Sequence, residues 1–169
     1  MLDLRKRIAL AQLPSHTGAD QSLALAAGWL QHCTIYHEVC CSNQDRSFRP
    51  SRLLYVENDA VCLHTVQKMP KRVLYLTLSH CWGKLHILRL LESNEDSFHI
   101  DIRMQSLPQT FQDAIKITRR LGFSYLWIDS LCIIQDSKED WLREAALMGK
   151  IYKNAACNIA APDASSGQQ

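Results

Sequence analysis

A chain of 169 residues has room for one ordinary domain with a core, or for a domain plus an appendage, but not for two full-sized domains. Hydrophobic residues make up 47% and charged residues 21%, a balance that excludes disordered and fibrous classes. Nineteen basic against seventeen acidic side chains leave a formal charge of +2, which argues against nucleic-acid partners, and no apolar run approaches the roughly 20 residues of a membrane-spanning helix.

The N-terminus, MLDLRKRIALAQL, carries charges within its first turns and does not read as a secretory signal. The cytoplasm is therefore the expected location, and metal binding, catalysis or packing is a better expectation for the seven cysteines than a disulfide framework. From Ser22 to Cys33 the Ala- and Leu-rich run SLALAAGWLQHC predicts a helix carrying Trp29 and Leu30. Cys33, His37, Cys40 and Cys41 form a Cys-x3-His-x2-Cys-Cys pattern, and Cys33, His37 and Cys40 fall on one helical face as candidate zinc ligands. The spacing matches no standard zinc finger, and packed core thiols are the commoner outcome. A polar loop, SNQDRSFRPSR, follows. RLLYVE and VCLHTVQ, separated by Asn58 and Asp59, then predict a hairpin. Residues 1–72 thus read as an irregular leader, and 73–169 as the patterned domain.

Patterning strengthens from Val73. VLYLTLSHCWG reads as a buried parallel strand feeding a loop, HILRLLE as a short helix and NEDSFHIDIR as loop. The clearest helix lies between Ser106, placed to cap, and Gly122, just past the last periodic residue. Phe111, Ala114, Ile115, Ile117, Thr118 and Leu121 share one face of it, while Gln112, Asp113, Lys116, Arg119 and Arg120 occupy the other. YLWIDSLCII predicts a second buried strand with Asp129 inside it, on one sheet face with Trp127 and Leu131. A second amphipathic helix, WLREAALMGKIYKNA, has Trp141, Ala145, Met148 and Tyr152 as its buried stripe and Glu144 at the stripe's edge. CNIAAP is a third strand. Strands alternating with helices predict an α/β fold, a parallel sheet flanked by helices.

Ligands of such sheets bind at the carboxyl ends of the strands. This selects Ser79, Trp82 and Gly83 after the first strand, and Asp129, Gln135 and Asp136 at the end of the second. A core role for Trp82 and a plain turn at Gly83 compete with ligand contact. A carboxylate such as Glu144 with apolar residues on both sides is either chemically useful or paired with an arginine. Asp129 inside an apolar strand requires backbone amides, a charge partner or a site. Cys132 lies in an apolar run where a thiol is usually inert.

LSHCWG, LPQTFQDAI, LGFSYLWIDSLCIIQD and DWLREAALMGKIYKNA, in this order from about Tyr75 to Ala161, resemble the fungal heterokaryon incompatibility (HET) domain. The upstream WLQHCTIYHEVC and PSRLLYVE are similar to the segment that often precedes that domain. The resemblance implies nonself recognition and programmed cell death, and a remote likeness to TIR domains of flavodoxin-like fold. In NAD-cleaving TIR enzymes a glutamate on a helix after a central strand is catalytic, and Glu144 matches it. Asp129 and Ser79 would then order the site, with Trp82, Gly83, Gln135 and Asp136 as ligand contacts and NAD as the substrate. A non-catalytic module that self-associates or meets a recognition partner is the competing reading, and an inactive fragment the third. HET domains normally continue past the third strand, often with a Gly-Leu-Phe motif and an arginine. Here APDASSGQQ follows, so a C-terminally shortened domain is expected.

Overall fold

A computed structural model describes residues 16–37, 44–45, 47–81 and 88–161. In chain order these form α1 (Asp20–Tyr36), β1 (Arg52–Tyr55), β2 (Cys62–Thr65), β3 (Leu76–His80), α2 (Glu95–Phe98), a 3-10 turn at Met104–Ser106, α3 (Gln109–Arg120), β4 (Tyr125–Trp127), α4 (Asp129–Cys132), α5 (Lys138–Asn154) and β5 (Cys157–Ala161). Trp82, Gly83 and Cys40 lie outside the described residues, as does most of the APDASSGQQ tail.

The five strands make one mixed sheet in the order β2-β1-β4-β3-β5. The α/β expectation holds, with a parallel centre in which β3 pairs with both β4 and β5. The hairpin adds the antiparallel part: β1 pairs with β2 through Arg52↔Thr65 to Tyr55↔Cys62, and with β4 through Leu54↔Leu126 and Tyr55↔Tyr125. Asn58 turns the hairpin at φ 54°, a left-handed conformation that asparagine tolerates better than most residues. Leu53, Leu54 and Leu63 of the hairpin pack in the same core as Leu76, Leu78 and Leu126.

Alternation along the strands divides the helices between two faces. Leu76, Leu78 and His80 point one way, where the His80 ring stands edge-on to Phe111 of α3 with centroids 4.8 Å apart. Tyr75 and Trp127 point the other way, onto α5: the Tyr75 hydroxyl donates to the Ile151 carbonyl at 2.7 Å, and Trp127 meets Tyr152 edge-on at 5.5 Å. The connection from β3 to β4 therefore crosses one face, and that from β4 to β5 the opposite face.

Helix α3 buries Phe111, Ala114, Ile115 and Thr118, the expected stripe, and Gly122 ends it at φ 81°. Pro108, not Ser106, is its N-cap, while the Ser106 hydroxyl turns back to the Arg103 carbonyl inside the 3-10 turn. Residues 88–91 take no regular form where HILRLLE predicts a helix, and α2 interrupts the segment expected to be loop. Helix α1 is longer than its predicted span and has no buried residue; Trp29 is 52% exposed. No helix among the described residues is long and apolar enough to cross a membrane.

Candidate functional site at the carboxyl edge

Two neighbouring parallel strands whose connections leave to opposite faces open a crevice at their carboxyl ends, the usual ligand position in α/β sheets. Here those strands are β3 and β4. The last register pair is Thr77↔Trp127, beyond which β3 continues to Ser79 and His80, and Ser79 is exposed near the strand end. Asp129 stands beside His80 and Tyr152. Burial pulls the His80 imidazole down while the Asp129 charge opposes that shift, and burial followed by the same charge pushes the Tyr152 hydroxyl up. One carboxylate is thus felt from β3 and from α5.

The strand carrying Asp129 is shorter than its apolar run suggests. It ends at Trp127, and Asp129 opens the helical turn α4 instead of sharing a sheet face with Trp127 and Leu131. An aspartate at a helix start offers its carboxylate to otherwise unbonded N–H groups, and Asp129 accepts the N–H of Ser130 at 2.7 Å. The side chains of Gln135 and Asp136 hold backbone here. Gln135 Nε2 donates to the carbonyls of Ile133 and Asp129 at 3.0 and 3.3 Å, and Asp136 accepts the Glu92 N–H at 2.9 Å. Cys132 is buried and its thiol is pushed up to about 12, so it supplies no thiolate at neutral pH.

Glu144 lies on the buried face of α5, where the helical projection expected Trp141. Trp141 is 49% exposed, whereas Asp140, Glu144 and Ile151 are buried. The cause is a cluster of charges that the sequence pattern does not reveal. Arg52 begins β1, which runs antiparallel to β4, and therefore stands at the carboxyl end of β4. Its Nη1 and Nη2 donate to the two carboxylate oxygens of Asp140 at 3.1 and 2.7 Å, Nη1 also reaches the Cys132 carbonyl at 3.1 Å, and Nε reaches Glu95 at 3.3 Å. Asp140 further accepts the Ile134 N–H at 2.9 Å and a bond from Arg143. Arg143 Nε then donates to Glu144 at 3.2 Å. An arginine opening a β-run, followed much later by acidic residues one helical turn apart, is the trace this leaves in the sequence.

The electrostatics fix an acid response. Burial alone would raise the Asp140 carboxyl, but the Arg52 hydrogen bonds, the Ile134 N–H and the charges of Arg52 and Arg143 outweigh it and hold the group below its ordinary value of 3.8. A depressed carboxyl contributes stability that is complete above its unfolded value and is lost as pH falls through the folded one. Urea midpoints are therefore expected to drop as pH falls below about 4, and Asp140→Asn should flatten that drop. An unchanged acid limb in the variant would assign the loss to other groups.

A cavity of about 570 Å³ lies at the opposite edge, where Leu30 and Thr34 of α1 face Val73, Leu74 and Phe123 at the amino ends of β3 and β4. It does not serve the crevice. Cys33 and His37 sit at the end of α1, where the His37 N–H donates to the Cys33 carbonyl, and Cys40 lies outside the described residues. Among the described residues no group of three His, Cys, Asp or Glu side chains is placed to hold a metal ion.

The model of the heterokaryon incompatibility protein (HET) family matches residues 75–169, more than half of the chain. The chain belongs to the HET family. No curated protein and no solved structure matches it. The family match begins at Tyr75, whose hydroxyl anchors α5, so β3 to β5 and both flanking helices fall within the HET segment. Arg52 and the β1–β2 hairpin lie outside the match, yet they complete both the sheet and the charge cluster of the HET helix α5.

Proposed function

We propose that this HET protein acts in the cytoplasm in fungal nonself recognition, triggering cell death by cleaving NAD at the carboxyl edge of its sheet. The observation that carries the reading is Glu144: a carboxylate 1% exposed, on the helix after β4, bonded to Arg143 and within the field of Arg52, which stands at the carboxyl end of β4. The likeness to TIR domains that the sequence resemblance implies points to the same position. In the reaction the bond between the ribosyl carbon and nicotinamide breaks, its electron pair leaving on neutral nicotinamide. Water adds to the ribosyl carbon, and one proton is released. The ribose carries oxocarbenium character in the transition state, and a carboxylate holding its hydroxyls stabilises that charge. Glu144 takes this role. Asp129 and Ser79 order the crevice from the ends of β4 and β3, and the resemblance assigns ligand contact to Trp82, through stacking of its ring, and to Gly83. Gln135 and Asp136 fix the loop that follows β4.

The test is NAD consumption by the purified chain, alongside killing by the expressed chain. Glu144→Gln should lower NAD turnover by a factor of about 100 or more and abolish killing with it. Killing that persists with NAD intact overturns the enzymatic reading.

A second reading is favoured by exposed apolar surface: Trp141 and Leu142 on α5 are 49% and 55% exposed. Signalling by self-association through this helix, without catalysis, predicts oligomers that leave NAD untouched.

A further inference from the structure

We propose that Arg143 is a displaceable cap on Glu144, and that it is removed by a ligand offering hydroxyl donors, a vicinal diol such as that of a ribosyl group. The inference rests on the reading of Glu144 as the ligand-binding carboxylate. In the structure that carboxylate is sealed: its side chain is 1% exposed and it accepts from Arg143 Nε at 3.2 Å. A ligand that is to touch it must first displace this partner.

The charge cluster divides into a fixed and a movable half. Arg52 and Asp140 have side chains 8% and 4% exposed, are joined through two hydrogen bonds, and are each tied to backbone as well, Arg52 to the Cys132 carbonyl and Asp140 to the Ile134 N–H. Breaking that pair strands a buried charge. The Arg143 side chain is 52% exposed, spans Asp140 and Glu144 from the solvent side, and has water at hand to replace its bonds when it swings out. Only the Arg143 half of this ion pair is resolvated on separation, so the cost falls on Glu144 and is less than that of parting a pair buried on both sides. Asp140 keeps Arg52 when Arg143 leaves, whereas Glu144 loses the Arg143 hydrogen bond and retains only the charge of Arg52, which is not bonded to it.

That asymmetry sets the specificity. A buried carboxylate without donors is costly, so Arg143 stays unless the incoming group replaces its hydrogen bonds. An apolar ligand supplies none, and an anionic one adds repulsion. Two neighbouring hydroxyls match the two carboxylate oxygens without adding charge. The cap thus keeps Glu144 away from water and unsuitable ligands until a polyhydroxylated one arrives.

The experiment follows the accessibility of Glu144 in the full chain by labelling with a water-soluble carbodiimide and an amine, read by peptide mass spectrometry, in parallel with NAD consumption. Arg143→Ala should label Glu144 about fivefold faster than wild type, the ratio matching an exposed ion pair. Arg143→Lys, which retains a cation, should label more slowly than the Ala variant, and added NAD should slow labelling of the Ala variant. Asp140, held by Arg52, stays protected throughout and reports that the fold is intact; if it loses protection in the Ala variant, Arg143→Gln takes over the comparison. Equal labelling of Glu144 in wild type and the folded neutral variants overturns the cap. Faster labelling with no NAD consumed by any variant upholds the cap and removes the NAD reading alone.

Discussion

Arg52→Met is expected to cost about 3–5 kcal/mol of folding free energy, measured by urea unfolding at neutral pH. The methionine fills much of the space of the arginine stem, so packing changes little. What changes is charge: Asp140, 3% exposed, loses the guanidinium that meets both of its oxygens, and the Cys132 carbonyl loses its donor. An anion left in that position is far more costly than the intact pair is favourable, because desolvation has already been incurred and only the compensating attraction is removed. Arg52→Met combined with Asp140→Leu should therefore recover a large part of the loss, since neither half of the Arg52–Asp140 pair is then left as an unpaired buried charge. A single-variant loss below about 1 kcal/mol would place the pair in the range of solvated surface bridges. The result would also bear on Glu144, because Asp140 is the residue through which Arg52 steadies the first turns of α5.

What the sequence reveals follows from how local each determinant is. Helix α3 is legible because its apolar and charged residues separate cleanly at helical spacing, so Phe111, Ala114, Ile115 and Thr118 need no distant partner to explain their burial. The face of α5 is not legible by the same rule, since two of its buried residues, Asp140 and Glu144, are acidic. Asp140 goes inside because Arg52, 88 positions earlier, meets it there, and periodicity carries no information over such a distance. Trp141, the most hydrophobic-looking residue of that segment, is left outward as a result. The run YLWIDSLCII misleads for a different reason: buried strand and buried helical turn are both continuously apolar, so the change at Ile128 leaves no break in the pattern. The hairpin itself is readable from its β-formers and Asn58, but its insertion beside β4 depends on long-range pairing. Of the candidate site, Ser79, Asp129 and Glu144 are reachable from the carboxyl-end rule and helical projection, whereas Arg52, Asp140 and Arg143 emerge only when the hairpin is docked.

Trp127→Ala should also cost about 3–5 kcal/mol, with a smaller loss for Trp127→Phe, and the two variants separate packing volume from any specific role of the indole. Trp127 is 1% exposed, is the last residue of β4, and meets the Tyr152 ring edge-on at 5.5 Å. Alanine there opens a cavity between the sheet and α5 that the flanking backbone, fixed by strand pairing to Thr77, cannot collapse to fill. Phenylalanine restores a ring in contact with Tyr152 and leaves a smaller void. The consequence extends beyond stability, because Tyr152 and Glu144 ride on the same helix. A helix freed at its Tyr152 end can shift relative to β3 and β4, and Asp129 and Glu144 then lose their fixed separation. Under the NAD reading, Trp127→Ala should therefore lower turnover in chains that remain folded, while Trp127→Phe largely retains it. Full turnover in folded Trp127→Ala would show that α5 is held in place by the Arg52–Asp140 pair and the Tyr75 hydroxyl alone.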